Sequence, residues 1–290
     1  MTDKRFLILG AGGQLGSEWV ERLSQEGITH KATDYPELDI SNEEHIRQNV
    51  QNFKPDVIVN CAAYTNVDKA EDESDVSDRL NYHAVEKLAE ICRDEDILLL
   101  HYSTDYVFSG EADDEEKFPD GYPEDAPINP LNAYGLSKWK GEDAVRKTSP
   151  NHLILRVSWL CGSTGHNFIK TMLRLGRERD ELRVVDDQIG SPTFTADVVD
   201  GCLRLLEKGE TGTFHITSEG KISWYQFAVD ALKTAGISVN VVPIPSSEFP
   251  MKARRPFYSK LNTAKFKSAT GGTAYDYKAG LEKIIGDLSK

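Results

Sequence analysis

Tyr134 and Lys138 lie four residues apart in the run Tyr134-Gly135-Leu136-Ser137-Lys138, a spacing that puts both side chains on one face of a helix. A free phenol has a pKa near ~10, too high for easy proton exchange at neutral pH. A lysine ammonium a few ångströms away favours the phenolate and lowers that value. A tyrosine tuned in this way can protonate a carbonyl oxygen while hydride arrives at the carbonyl carbon. The same spacing also occurs in exposed helical pairs, so the assignment depends on what the rest of the chain builds around it.

The first 26 residues supply a cofactor platform. Phe6-Leu7-Ile8-Leu9 is an apolar run of the kind found in buried parallel strands. It passes directly into Gly10-Ala11-Gly12-Gly13-Gln14-Leu15-Gly16-Ser17, and a helical pattern follows to about Gln25. Strand, glycine turn and helix in that order form a dinucleotide-binding unit. Gly10, Gly13 and Gly16 let the backbone approach a pyrophosphate seated on the helix N-terminus. A second strand near His30–Thr33 ends at Asp34, 18 residues past Gly16, where a carboxylate meets the adenosine ribose. Asp39 and Ile40 are placed to flank the adenine. A third strand over Asp56–Asn60 leads into Cys61-Ala62-Ala63-Tyr64-Thr65, whose small residues allow close contact with the cofactor. Asp75–Arg93 reads as one long helix with Asn81 in its middle, either a polar helper inside the fold or an exposed residue. A strand over Ile97–Tyr102 then delivers Ser103-Thr104-Asp105-Tyr106-Val107-Phe108. Ligands in open α/β sheets bind beyond the carboxyl ends of the strands, so the Thr104 hydroxyl is placed to hydrogen-bond a substrate carbonyl. Capping a turn is its other reading.

Between these elements, Glu111–Asp125 holds eight acidic residues and one lysine and reads as a solvated loop. A strand over His152–Val157 is followed by Trp159. Strict alternation then stops. Helices are expected at 166–178, 195–207 and 223–235, with short strands near 183–185 and 213–216. The fold class is therefore α/β, a Rossmann-type doubly wound parallel sheet with a smaller α/β substrate-binding lobe. Residues 1–160 form the NAD(P)-binding domain, with later segments returning to it, and 161–290 form mainly the second lobe. Met251-Lys252-Ala253-Arg254-Arg255-Pro256 concentrates positive charge in an acidic chain, which suits a phosphate-bearing ligand or a surface ion-pair cluster.

Composition narrows the setting. The 290 residues carry 39% hydrophobic and 28% charged side chains, ordinary for a soluble globular protein. The net charge of −13 argues against a nucleic-acid binder. No apolar run approaches the ~20 residues of a membrane span, and Met1-Thr2-Asp3-Lys4-Arg5 leads straight into a strand with no room for a signal peptide. Cys61, Cys92, Cys161 and Cys202 lie far apart, as reduced cytosolic thiols do, and no histidine or cysteine spacing suggests a metal.

The glycine loop, the Thr104 strand end and the Tyr134/Lys138 pair occur in the order of the extended short-chain dehydrogenase/reductase superfamily. Three finer runs are Ser103–Phe108, Asp187-Gln188-Ile189-Gly190-Ser191-Pro192-Thr193 and Arg254-Arg255-Pro256-Phe257-Tyr258-Ser259-Lys260-Leu261. They resemble the dTDP-4-dehydrorhamnose reductase family from Phe6 to about Leu288. The resemblance implies reduction of a nucleotide-sugar C4 ketone by NADPH, with NADH also accepted, in the cytoplasm. Tyr134, Lys138 and Thr104 then form the catalytic set, with Lys138 also holding the nicotinamide ribose. Gly10, Gly13, Gln14, Leu15, Gly16, Ser17, Asp34, Asp39, Ile40, Ala62, Ala63, Tyr64, Thr65 and Tyr102 join Tyr134 and Lys138 at the cofactor. Thr104, Asp105, Trp159, Gln188, Arg255 and Ser259 fall on the substrate. Some members form a homodimer around magnesium held by acidic side chains. Glu18 matches one such position, but the others fall near Ala196 and past Leu288 without equivalent carboxylates. The resemblance thus implies a monomer or weak homodimer and weighs against Mg2+. A non-catalytic relative, the beta subunit of methionine adenosyltransferase, and the nucleotide-sugar epimerases share the fold. The run from Arg255 to Leu261 reads as the reductase version, and the epimerases lack the run from Gln188 to Thr193.

Overall fold

The computed structural model describes residues 3–289; Met1 and Thr2, where the N-terminal run begins, and Lys290 lie outside it. The elements in chain order are β1 (Phe6–Leu9), α1 (Gln14–Gln25), β2 (His30–Thr33), α2 (Glu43–Phe53), β3 (Val57–Asn60), α3 (Val67–Ala70) and α4 (Ser74–Asp78). A π turn (Arg79–His83) joins α4 to α5 (Ala84–Asp94), followed by β4 (Leu98–Thr104), α6 (Asp114–Lys117), α7 (Ala133–Thr148) and β5 (His152–Val157). The second half holds β6 (Leu160–Cys161), α8 (Phe168–Glu178), β7 (Glu181–Val185), β8 (Ile189–Gly190), β9 (Thr193–Phe194), α9 (Thr195–Lys208) and β10 (Gly212–His215). It closes with β11 (Ile222–Ser223), α10 (Trp224–Thr234), β12 (Asn240–Ile244), α11 (Ala264–Ala269) and α12 (Tyr277–Leu288).

Six parallel strands in the order β10-β5-β4-β3-β1-β2 form the main sheet. Side chains alternate across it, as strand geometry requires. Phe6, Ile8, Leu98, Leu100, Leu153 and Leu155 pack with Trp19 and Leu23 of α1, Val198 and Cys202 of α9 and Phe266 of α11. On the other face, Leu7, Leu9, Leu99 and Ile154 pack with Ile46 of α2, Val85 and Leu88 of α5 and Val145 of α7. Both faces are covered, which is why the central strands β1 and β3 and the first half of β4 are apolar runs.

After β5 the chain leaves the sheet, builds α8 and β7 outside it, and returns with α9 and β10. The second lobe is built from three two-stranded pairings, β8–β11, β7–β12 and β6–β9, with α8, α10 and α12 around Ile169, Leu173, Phe227 and Leu281. The acidic stretch 111–125 is not a free loop. Asp114 is buried and accepts hydrogen bonds from Ser109, Tyr122 and the Glu111 backbone, while Tyr122 stacks on Phe108 at 4.5 Å. Its acidic composition masks a folded cap, centred on Tyr122, Tyr258 and Leu261, over the end of β4.

Candidate active site

The glycine turn closes on the sheet. Gly10 takes a left-handed φ of 77°, and a Cβ there would sit 2.7 Å from the Ala62 backbone nitrogen. At Gly16 a Cβ would sit 2.1 Å from the Gly10 carbonyl oxygen, so any larger residue would push α1 off the turn. Gly13 starts α1 in extended conformation with no side-chain cap, and the positive end of a twelve-residue helix is left for an anion. Above the turn, the exposed Asp34 takes the Gly12 N–H at 2.6 Å and the Tyr35 N–H at 2.8 Å. An uncapped helix start beside a carboxylate at the end of β2 fits a dinucleotide.

A cavity of about 610 Å³ runs from Gly13, Gln14 and Leu15 past Ala63 and Thr65 to Thr104, Tyr134, Lys138 and Trp159. The helix that carries Tyr134 and Lys138 is seated by three contacts. The Asn132 Oδ1 accepts from the Gly135 N–H at 2.8 Å and caps α7. Gly135 has no Cβ because one would lie 2.2 Å from the Tyr106 carbonyl oxygen. Arg156 on β5 makes a bidentate pair with Glu142 of α7, at 2.9 and 2.8 Å. That pair is almost fully buried, at 2% and 0% exposure, and the guanidinium holds the Glu142 carboxyl down at about 2.

Within this frame Thr104 does two things. Its Oγ1 accepts from the Tyr106 N–H at 3.2 Å, capping a 3-10 turn, and donates to Asp105 Oδ1 at 2.9 Å. Burial pushes the Asp105 carboxyl up to about 7, against the pull of the Thr104 and Ser259 hydroxyls. The Tyr134 phenol is pushed up by burial and then by Asp105, while Thr104 draws it the other way. Lys138 is expected from its spacing to lower the phenol. Its Nζ lies 3.5 Å from His101 Nε2, and burial brings the ammonium down to about 8.

The remaining candidates fall into three groups. Ala63, Thr65, Gln14 and Leu15 line the cavity. The Gln14 Oε1 accepts from the Gly162 N–H and the Asn167 amide, tying the glycine turn to the second lobe, and Ser17 Oγ faces Thr164 Oγ1 at 2.5 Å. The Tyr64 backbone is held at both N–H and C=O by Asn81, which is fully buried in the π turn. Other candidates serve the fold. The Tyr102 hydroxyl takes the Trp19 Nε1–H at 2.7 Å in the core, so only its ring reaches the cavity. Asp39 accepts from the Ser41 N–H and hydroxyl, and Ile40 is buried under the sheet; neither lines the cavity.

The third group sits on the second lobe. Trp159, at φ 47°, stacks on Trp224 with centroids 3.6 Å apart. Gly190 makes room beside it, since a Cβ there would meet Ser259 Oγ at 2.6 Å and Trp159 at 2.7 Å. Gln188, Tyr106, Phe168, Trp224, Arg179 and Arg255 line an adjoining cavity of about 390 Å³. Arg255 is already paired: it donates to Asp68 Oδ2 at 2.9 Å and to the Ala253 carbonyl. Arg254 pairs with Glu111 and Lys252 with Asp72. The basic run forms the ion-pair cluster, and of its three cations Arg255 also lines the cavity.

Sequence reasoning passed over Asn60, His101, Glu142 and Arg156. The signal available was a polar residue inside an apolar strand or a charge on the inner face of α7. Glu18 accepts from the Thr195 hydroxyl and shares a cleft with Asp197, Lys283 and Asp287. Asp197 stands beside Ala196, near which one carboxylate was sought, and Asp287 lies before Leu288, past which the other was sought. Among the described residues, no group of three such side chains is placed to hold a metal ion.

Residues 4–290 match the family model described as the RmlD substrate binding domain. The chain is 40% identical to a dTDP-4-dehydrorhamnose reductase of Aggregatibacter actinomycetemcomitans, over 97% of this chain and 98% of that one. A crystal structure of a dTDP-4-dehydrorhamnose reductase from Clostridium acetobutylicum superposes with TM-score 0.93 at 38% identity, covering 99% of this chain and 100% of that one. A second, from Bacillus anthracis in complex with NADP, gives TM-score 0.92 at 38% identity, covering 98% and 99%.

Proposed function

The chain belongs to the dTDP-4-dehydrorhamnose reductase family, and from that premise we propose how its own residues carry the reaction. The protein is an NAD(P)-dependent oxidoreductase that reduces the C4 ketone of dTDP-4-dehydro-L-rhamnose to dTDP-L-rhamnose, the last step of dTDP-rhamnose biosynthesis. The observation that supports the residue roles is the single cavity joining the start of α1 to Thr104, Tyr134 and Lys138.

NADPH, when bound, supplies the hydride. Gly10, Gly13 and Gly16 with the start of α1 hold its pyrophosphate, and Asp34 reads the ribose. A carboxylate there accepts from a 2′-hydroxyl and repels a 2′-phosphate. We therefore expect Asp34→Ala to shift the ratio of kcat/KM from NADH toward NADPH; an unchanged ratio removes Asp34 from that role. Arg22 does not blur the effect, because it is tied to Glu26 and Asp200.

At the ketone, the Thr104 hydroxyl turns its one proton from Asp105 to the oxygen, and Tyr134 protonates that oxygen as negative charge grows. A phenol raised by burial suits this role. It stays protonated at neutral pH and gives up its proton only to an alkoxide, which is far more basic. Trp159 and the Gln188–Arg255 cavity take the sugar and the nucleotide, so residues 1–160 serve the cofactor and 161–290 mainly the substrate. We also place the protein in the cytoplasm, as a monomer or weak homodimer, and without a nucleic-acid partner, the last supported by its net charge of −13. No helix among the described residues is long and apolar enough to cross a membrane.

The test mixes the protein with NADPH and dTDP-4-dehydrorhamnose and follows the absorbance of the reduced cofactor. Oxidation with formation of dTDP-rhamnose is expected. Tight NADPH binding without oxidation would make this a regulatory member of the fold.

A further inference from the structure

Asn167 ends the loop that follows β6, stands immediately before α8, and is buried. Nothing in the scheme above uses it. Its contacts fix which way its amide points. The Lys170 N–H can only donate, and it meets Asn167 Oδ1 at 3.1 Å. The Gly162 carbonyl can only accept, and it lies 2.8 Å from Asn167 Nδ2. The same NH2 also donates to Gln14 Oε1 at 3.0 Å.

Gln14 is oriented in turn. Its Oε1 takes the Gly162 N–H at 2.8 Å as well. A backbone N–H cannot accept, so the oxygen faces the loop and the NH2 must face away from it. The loop lies directly against this side chain. Gly165 has a left-handed φ of 65°, and a Cβ there would sit 2.9 Å from Gln14 Cγ. Among the described residues, the hydrogen bonds of the Gln14 amide all go to its oxygen. Gln14 is the first residue of α1, half-buried, and it lines the main cavity. The uncapped start of that helix favours an anion, and an NH2 beside it can only donate. We propose that Asn167 is a positioning residue acting through Gln14: it holds the Gln14 oxygen against the second-lobe loop so that the NH2 donates to the pyrophosphate of the bound cofactor.

This role rests on the cofactor reading of the cavity. It also links the two lobes. Asn167 caps α8, and α8 carries Phe168, Met172 and Leu175 to the adjoining cavity. The cap of a helix on the substrate side thus sets a donor on the cofactor side. A second tie runs beside it, from Thr164 of the same loop to Ser17 of α1 at 2.5 Å.

Asn167→Asp separates capping from orientation. Aspartate caps a helix about as well as asparagine does, so α8 and the melting temperature should hold. Its second oxygen cannot donate, so it repels the Gln14 oxygen and draws the NH2 back toward the loop. We expect the Kd for NADPH, read from cofactor fluorescence, to rise about tenfold or more, the worth of a charged hydrogen bond. The Kd for ADP-ribose, which has the pyrophosphate but no nicotinamide, should rise equally by calorimetry. Gln14→Met should weaken both ligands by a similar factor, and in that background Asn167→Asp should change either Kd by less than about twofold. An equal loss in both backgrounds overturns the proposal, because Asn167 then acts without Gln14. An unchanged Kd for ADP-ribose overturns it as well. If Asn167→Asp fails to fold, Asn167→Ser, which keeps a capping oxygen but has no NH2, is carried through the same cycle. A protein that passes these binding tests without reducing the sugar keeps this proposal and loses the reductase reading. A working reductase with independent effects at the two positions loses only this proposal, and a protein that binds no dinucleotide loses both.

Discussion

The two walls of the cleft use charge in opposite ways. Behind the wall that carries Tyr134 and Lys138, Arg156 and Glu142 are buried and bidentate, and they bolt α7 to β5. On the side of the second lobe, Lys252, Arg254 and Arg255 reach across to Asp72, Glu111 and Asp68 of the first half, with most of these side chains open to water. A buried pair cannot lose one partner cheaply, because the other is left as an uncompensated charge. Exposed pairs are worth little each and are screened by salt. The α7 wall is therefore fixed, and the rim is held by exposed contacts that cost little to break.

The sharpest way to break this contrast is at the reacting atoms. Tyr134→Phe should fold and bind cofactor normally while single-turnover hydride transfer falls ~10²–10⁴-fold. Retention of more than about a tenth of the wild-type rate would move the acid elsewhere, with Asp105 as the next candidate. Behind that wall, Glu142→Gln should cost about 3–5 kcal/mol in denaturant unfolding. The sign with pH follows from its depressed pKa. Glu142 ordinarily titrates at 4.5 and is held at about 2 here, so its contribution is complete above pH 4.5 and is lost as pH falls toward 2. In the glutamine variant that acid limb should flatten; an unchanged limb would mean the pair does not stabilise the fold.

On the rim, Arg255→Ala should raise KM for the nucleotide sugar about tenfold or more, the worth of one charged hydrogen bond, and leave cofactor affinity alone. Loss of cofactor affinity instead would assign the arginine to the fold. The smallest effect is expected for Lys252→Ala with Arg254→Ala, less than about 1 kcal/mol in stability and absent at ~1 M salt. A large, salt-independent loss would show that the rim is as rigid as the opposite wall.

Much of this was legible in the sequence, for physical reasons. Strands β1, β3, β4 and β5 are buried on both faces and so are unmistakably apolar, and the glycine turn must have glycine where backbones nearly touch. Three helices of the second half, α8, α9 and α10, were placed within two residues, whereas α11 and α12 were not foreseen. The return of α9 and β10 to the main sheet was less clear, because β10 is a short edge strand whose partner lies some 60 residues earlier. The 111–125 stretch misled because Asp114 and Glu124 look like solvent-facing acids. In fact Asp114 collects hydrogen bonds from its own cap, and Glu124 accepts the His215 N–H. Spacing along a helix fixes which face Tyr134 and Lys138 share, but not which strand residue lies beside the lysine, here His101 of β4.

The π turn at Arg79–His83 has a consequence for anyone altering this chain. It contains one residue more than an α-helical turn, so everything after it is rotated by roughly 100° relative to Ser74–Asp78. That rotation lets Ser77 and Asn81 both reach Ser137, while Val85 and Leu88 still face the sheet. The Asn81 carbonyl bulges into a notch that only a glycine at 141 leaves open, 2.1 Å from where a Cβ would be. Deleting one residue here would not merely shorten a helix. It would re-index one half against the other and withdraw Asn81 from Tyr64, so this single turn acts as the phase setting of the whole Ser74–Asp94 rod.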